Sequence, residues 1–377
     1  MYGMMNSKKL LLLTSIFLSV IVEITAQTNA KTIRYSLCIG ANNGGKDRAS
    51  LKYAASDATS IDQTMRDVGG VKAENSWLLI DPTKQQVEKN IDAISEQIKT
   101  DATGDVSKEF FFYYSGHSNE KGLLLGNEVY AFADLKNKIA TVPGAIHIVM
   151  LDSCYSGNFL TNTDSARMKG GTKRKSFLSD TQSVDAGTVY IASSSGSEVS
   201  QESDTIHASY FTSAVVTGLR GAADKSGDMQ ISLDELYNYA FENTVQFTNK
   251  SAIGQQHPGY TMEIKGEQNL VLSDFNTSDS YLILPKDLYG SVLIRNQNGT
   301  IAGEVEKRKG TSITLALSAG TYEATITGKK YNQDSYFIML KGMVYTLETT
   351  GRITIPDTGS LQDKVNAASD FASDYIP

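Results

Sequence analysis

Cysteine is nearly absent from this chain: 377 residues carry two, Cys38 and Cys154. Two thiols admit at most one disulfide. Cys38 lies inside an apolar strand pattern and Cys154 at a strand end, and a bridge needs their Cα atoms within about 7 Å, so both are expected to be unpaired. Proline is scarce, at six, which argues against long disordered linkers. Positive charge is not in excess. The net charge of −7 leaves no general basic footprint for nucleic acid, and none is expected as a partner. Histidine is limited to four, so few groups compete for proton-transfer work near neutral pH.

Long hydrophobic runs are also rare. The one that stands out, Leu10 to Val22, follows Lys8-Lys9 and precedes Ile24-Thr25-Ala26, a small-residue cleavage pattern. It is short for a bilayer span. Residues 1–26 therefore read as a signal peptide. The expected location is exported (periplasmic, cell-surface or extracellular), with no membrane span after signal removal. No cysteine follows the run closely, which disfavours a lipid-modified N-terminus.

What the chain does have is alternation. Tyr35 to Gly40, Trp77 to Ile80, Glu109 to Tyr114, Ile146 to Asp152 and Thr188 to Ala192 read as strands. Helical spacing intervenes at Leu51 to Val68, at Val87, Ile91, Ile94 and Ile98, and near Ala133 to Ile139. It returns at Tyr210 to Leu219 and Ser232 to Phe247. Such alternation implies right-handed βαβ units and an α/β fold with a mostly parallel sheet flanked by helices. Beyond Ser280 the pattern changes to short alternating segments separated by turns such as Asn298-Gly299, the signature of a small antiparallel β-sandwich. The organisation expected is a signal peptide at 1–26, an α/β domain at 32–272 and a β-sandwich accessory domain at 278–377. Ser273 to Ser280 is the most linker-like stretch.

Chemistry concentrates at two strand ends. The strand Ile146 to Leu151 runs into Asp152-Ser153-Cys154-Tyr155-Ser156-Gly157, and Glu109 to Tyr114 runs into Ser115-Gly116-His117-Ser118. Open α/β sheets bind ligands at the carboxyl ends of their strands. A thiol beside histidine is poised to attack a carbonyl. The small residues Gly116, Ser153 and Gly157 let backbone amides come close to a developing oxyanion. Among the other histidines, His147 sits within a strand, and His207 and His257 fall in polar loops. A serine nucleophile at Ser118 is disfavoured, because Glu120 stands where a nucleophile elbow needs glycine.

Tyr113 to His117 and Leu151 to Gly157 resemble the paired histidine and cysteine motifs of caspase-like and metacaspase-like cysteine peptidases, in the same order and at a similar separation. Leu51 to Asp57 and Tyr210 to Gly221 extend the resemblance, which covers about residues 32 to 262. It implies a caspase-like catalytic domain in which Cys154 forms an acyl-enzyme and His117 moves the proton. Oxyanion contacts would come from the backbone amides of Cys154 and Ser118, a position where the family usually has glycine. It also implies that Asp57, Ser115 and Asp152 hold a basic P1 side chain, and two carboxylates in one cleft favour Arg or Lys on charge grounds. Protein or peptide substrates with basic P1 are the expected partners.

Arg167, Lys169, Lys173, Arg174 and Lys175 cluster where caspase-like proteins join their subunits. Self-processing within 161–181, near Lys175, is the expectation set beside a plain solvated loop. Asp224, Ser226, Asp228, Ser232 and Glu235 have the spacing of a calcium loop, but Met229 replaces the glycine such loops need. Turn and helix-cap roles are the expectation there. No cofactor and no metal site are expected, with calcium kept as the alternative. The alternative to a cysteine endopeptidase is a catalytically silent caspase-fold protein acting through protein or surface recognition.

Overall fold

The computed structural model describes residues 31–101, 106–161, 186–249, 251–265, 270–328, 332–350 and 353–354. The chain begins there with β1 (Lys31–Ala41), α1 (Ala54–Asp67), β2 (Val71–Ile80), α2 (Lys84–Thr100) and β3 (Val106–Gly116). A hairpin, β4 (Gly122–Leu125) and β5 (Glu128–Ala131), then α3 (Phe132–Ala140), leads to β6 (Ile146–Asp152), the short α4 (Gly157–Thr161) and β7 (Ala186–Ala192). After these come the small hairpin β8 (Glu202–Ser203) and β9 (Ala208–Ser209), α5 (Tyr210–Thr217), β10 (Gln230–Ser232), α6 (Leu233–Thr248), β11 (Gly259–Lys265) and β12 (Val271–Asp274).

Six strands form one sheet in the order β11-β7-β6-β3-β1-β2. All neighbours are parallel except β11, which runs antiparallel to β7. This last strand was not anticipated, because no helix separates it from the loop that precedes it. The two motif-bearing strands, β3 and β6, lie side by side at the centre, with Tyr114 opposite Leu151 and Ser115 opposite Asp152. Their continuous apolar sequences are those of strands covered on both faces.

Alternation along the strands distributes their side chains between two helical layers. Cys38, Phe111, Tyr113, Ile148 and Met150 face α1, α5 and α6, where Ile61, Phe211 and Leu236 meet them. Leu37, Phe110, Phe112, Tyr114, Val149 and Leu151 face α2 and α3, where Ile91, Ile94 and Leu135 meet them. Two helices open on capping boxes: Thr83 with Gln86 at α2, and Ser232 with Glu235 at α6. A buried ion pair, Arg34 with Glu109 at 2.5 Å, joins β1 to β3, and Arg34 also donates to the carbonyls of Gly69, Val271 and Leu272.

The remaining strands are β13 (Tyr281–Leu284), β14 (Gly290–Asn296), β15 (Ile301–Lys307), β16 (Ile313–Ala316), β17 (Gly320–Thr327), β18 (Asn332–Met339), β19 (Val344–Leu347) and β20 (Ile353–Thr354). They make two four-stranded sheets, β16-β13-β19-β20 and β15-β14-β17-β18, around a core that includes Leu282, Val292, Ile294, Leu315 and Ile326. The pairing is antiparallel throughout except between β13 and β19, which is parallel. Ser273 to Ser280, linker-like in composition, is anchored in the core at several points. Phe275 is buried with α5 and α6, and the Ser273 hydroxyl donates to the Leu219 carbonyl at 2.7 Å. An apolar side chain inserted into the core outweighs the polar surroundings that suggested a linker.

Residues 1–26, expected as a leader, and the basic segment carrying Arg167 to Lys175 lie outside the described residues. No helix among the described residues is long and apolar enough to cross a membrane.

Candidate active site

Strand β3 delivers Ser115 and Gly116 to the sheet rim, and His117 follows. A Cβ at Gly116 would lie 2.5 Å from the Tyr114 hydroxyl and 2.9 Å from the Ala41 carbonyl, so glycine permits the close turn. The Tyr114 hydroxyl lies 2.7 Å from the His117 carbonyl, which also accepts from Leu124 N–H at 2.9 Å. The imidazole Nε2 sits 2.9 Å from the Ala49 carbonyl. A carbonyl only accepts, so Nε2 carries the proton and Nδ1 is left as the basic nitrogen.

On the neighbouring strand end, Cys154 is half-buried and unbridged, and Cys38 is buried and likewise free. Burial pushes the Cys154 thiol up, the Ser200 amide pulls it down, and the Asp152 carboxylate pushes it up again. The resting sulfur is therefore a thiol. Tyr155 adopts a left-handed backbone (φ 57°), and its N–H donates to the Glu198 carbonyl at 3.2 Å. Ser153 N–H donates to Ser193 Oγ, and Ser194 N–H to Ser156 Oγ. Thus Ser193, Ser194 and Glu198 bond to the turn that carries Cys154.

Ser118 ties the two strand ends together, its hydroxyl donating to the Cys154 carbonyl. It faces Leu123 across an isolated antiparallel bridge whose flanking bonds run from Leu124 N–H to the His117 carbonyl and from Asn119 N–H to the Gly122 carbonyl. Ser118 is the non-hydrogen-bonded partner in that ladder, so its own N–H is not consumed by it.

The two acids converge. Asp57, in the first turn of α1, is fully buried, with one carboxylate oxygen accepting from Ser115 Oγ at 3.0 Å and the other from Ser209 N–H at 3.1 Å. Asp152, buried at the end of β6, accepts from the hydroxyls of Ser200 (2.5 Å), Thr212 (2.6 Å) and Ser209. The Thr212 hydroxyl is committed to Asp152, so the Tyr113 hydroxyl 2.5 Å away is the donor to Thr212. Burial first, and then the Asp152 charge, pushes the Asp57 carboxyl well above the usual range. Neither acid takes part in an ion pair among the described residues.

A third acid was missed by the sequence reading. Glu202, in β8, accepts from the backbone amides of Lys52 and Tyr53 at the entry to α1, and both Asp152 and His117 act on its charge. Burial raises its pKa first, and the Lys52 and Tyr53 amides offset part of that. Ser209 and Thr212, the N-terminal turn of α5, were missed as well. Their only signal is a plausible helix cap (Ser209 accepts from Thr212 N–H at 3.0 Å), which says nothing of the acids they hold.

His147 is buried against Phe110, with Nε2 3.0 Å from the Val142 carbonyl, a packing role. His257 pairs with Glu198 at 2.8 Å, and His207 stacks on Tyr53. In the calcium-like loop, Asp224 accepts the amides of Gly227 and Met229, and Glu235 those of Lys225, Ser226 and Ser232. These carboxylates close a turn and cap α6. Among the described residues no three candidate ligands cluster around a common point.

A family model described as the caspase domain matches residues 33–266. Among solved structures, a Geobacter sulfurreducens protein from a structural-genomics programme aligns at 17% identity, covering 64% of this chain and 99% of its own, with a TM-score of 0.41. Caspase-1 from Spodoptera frugiperda aligns at 14% identity, covering 62% of this chain and 88% of its own, with a TM-score of 0.41. No curated protein sequence matches the chain.

Proposed function

The chain belongs to the caspase-domain family of peptidases, and from that premise we propose that it is a cysteine endopeptidase cleaving after Arg or Lys. The observation that carries the specificity is the pair Asp57 and Asp152, both buried, both wired to Ser209, and neither ion-paired among the described residues. A guanidinium or ammonium placed between them balances the negative charge of the site, whereas an Asp side chain adds to it.

The chemistry follows from the strand ends. With the P1 side chain held, the scissile carbonyl meets the Cys154 sulfur. His117 Nδ1 takes the thiol proton as the sulfur–carbon bond forms. The amides of Cys154 and Ser118 receive the oxyanion. Collapse breaks the carbon–nitrogen bond, and His117 returns the proton to the leaving amine. Water, losing its proton to His117, then hydrolyses the thioester, releasing the new carboxylate and restoring the thiol.

A P1 scan with fluorogenic peptides, with Cys154→Ala as the blank, tests this reading. Turnover confined to Arg and Lys is expected, and comparable turnover of an Asp-P1 peptide overturns it. Covalent labelling of Cys154 by a basic peptidyl electrophile separates an enzyme from a silent binding protein.

Removal of residues 1–26 accompanies export, and cleavage within 161–181, near Lys175, is autocatalytic. Its mark is a processed band in the wild type that the Cys154→Ala protein lacks. Identical intact bands in both exclude it.

A further inference from the structure

The hairpin from Glu202 to Ser209 forms one wall of the acidic pocket, because its last residue binds both Asp57 and Asp152. On its catalytic side, Lys52 and Tyr53 hold Asp204, at 2.9 Å and 2.7 Å respectively. On its other side it rests on the C-terminal region. Ile206 and Ala208 pack with Leu293 of β14 and Ile301 of β15 in a small apolar cluster of their own. Arg295, also on β14, donates from its guanidinium to the Thr205 carbonyl at 2.5 Å.

The same sheet grips the helix that follows the hairpin. Within one turn of α5, Thr212 donates to Asp152 while the next residue, Ser213, donates to the buried Glu304 of β15 at 2.5 Å. One turn further on, the Thr217 hydroxyl accepts the Glu304 amide at 2.8 Å. The first turn of α5 is therefore held between the pocket acid and the C-terminal sheet.

We infer that the sheet containing β14 and β15 is the outer brace of the substrate pocket, with Leu293, Arg295, Ile301 and Glu304 acting as positioning residues that hold Ser209 and Thr212 against Asp57 and Asp152. This assigns the C-terminal region a task in P1 recognition, and it rests on the peptidase reading given above. These side chains reach the hairpin and α5 rather than the turn that carries Cys154, so the brace acts on substrate capture and leaves the thiol alone.

Arg295→Ala is the mild probe, because it removes one bond at the surface of the brace; Leu293→Ala is the second. On the full-length protein, amide hydrogen exchange at residues 203–213 is expected to accelerate about fivefold or more in both variants, with β3 and β6 unchanged. The KM for a P1-Arg peptide should rise about tenfold, the effect of losing one hydrogen bond, with kcat within about twofold. Alkylation of Cys154 by iodoacetamide, which uses no pocket, should keep its wild-type rate. Wild-type exchange at residues 203–213, or a fall in kcat at constant KM, overturns the inference. If the wild type cleaves no basic peptide, the peptidase reading fails, and the exchange measurement alone decides whether the brace exists.

Discussion

Asp57 and Asp152 are joined through one residue: the Ser209 amide donates to the first at 3.1 Å and its hydroxyl donates to the second. Each acid is thus fixed in place before any substrate arrives, and little reorganisation is needed to receive a cation. Asp152→Asn replaces one acceptor oxygen by a donor amide facing hydroxyls that already donate. Asp57→Asn does the same beside the Ser209 amide. Either variant should lower kcat/KM for Arg-P1 peptides about a hundredfold or more, as expected when one partner of a buried charge interaction is removed. The preference for Arg over neutral citrulline at P1 should shrink with it. Fluorogenic kinetics on the two peptides read both effects, and an unchanged Arg-to-citrulline ratio contradicts the assignment.

Because burial and the Asp152 charge raise the Asp57 pKa, the empty pocket keeps a proton at pH values where a free carboxyl has lost it. A guanidinium stays charged throughout this range and stabilises the carboxylate form. Binding therefore expels the proton. The affinity of a P1-Arg peptide aldehyde should strengthen as pH rises above the ordinary carboxylate range and level off above the raised pKa. Calorimetry in two buffers of different ionisation enthalpy should show net proton release. Proton uptake on binding is the contrary result.

Gly44 packs directly against the His117 ring: a Cβ there would lie 2.2 Å from Cδ2 and 2.6 Å from Cγ. The imidazole must yield to such a methyl, breaking its bond to Ala49 and carrying Nδ1 off its line. Gly44→Ala should lower kcat about a hundredfold, the usual consequence of an ångström-scale misplacement, with KM nearly constant. The Cys154 thiol is not touched, so its alkylation rate should remain at the wild-type value. A variant of undiminished kcat shows that His117 does not need this seat.

How much of this was legible beforehand follows from where each contact originates. The α/β class and the antiparallel C-terminal sheets were readable because strand and helix periods differ and seldom mix along this chain. His117 and Cys154 could be set on one rim because each ends a continuous apolar run, and β3 and β6 are indeed neighbours. Glu202, Ser209 and Thr212 carried no such mark. Their importance comes from bonds to Lys52, Asp57 and Asp152, far away in sequence, and polar residues in a short hairpin look alike until the chain is folded. The parallel pairing of β13 with β19 escaped for the same reason, since many residues of other strands separate its members.

The resting Cys154 is a thiol whose pKa lies above its ordinary value, chiefly through burial. Its reaction with iodoacetamide should be slow near neutrality and keep rising with pH past the ordinary thiol range of about 8.5. His117→Ala should leave that profile largely in place while lowering peptide turnover by about 10²- to 10⁴-fold, the usual worth of a general base. A rate plateau below neutral pH indicates a preformed thiolate–imidazolium pair and contradicts this description.

Glu304 supplies the last test, because it is the buried acid of the brace. It is 6% exposed, and burial pushes its carboxyl up to about 7, against the pull of the Ser213 hydroxyl. In the unfolded chain the same group titrates near the ordinary value of about 4.3. The folded state therefore holds a proton that the unfolded state has released between these two values. Stability falls as pH rises through that window and is constant above it, the loss amounting to about 4 kcal/mol. Glu304→Gln keeps an acceptor for Ser213 and removes the titration. The variant should melt higher than wild type at pH 8, with the advantage gone or reversed near pH 4.5, where the native carboxyl is protonated and satisfied. Urea unfolding at the two pH values measures both differences. A difference that does not change with pH, or one that is larger in acid, means that Glu304 is ionised in the native protein and that the brace closes around a charge.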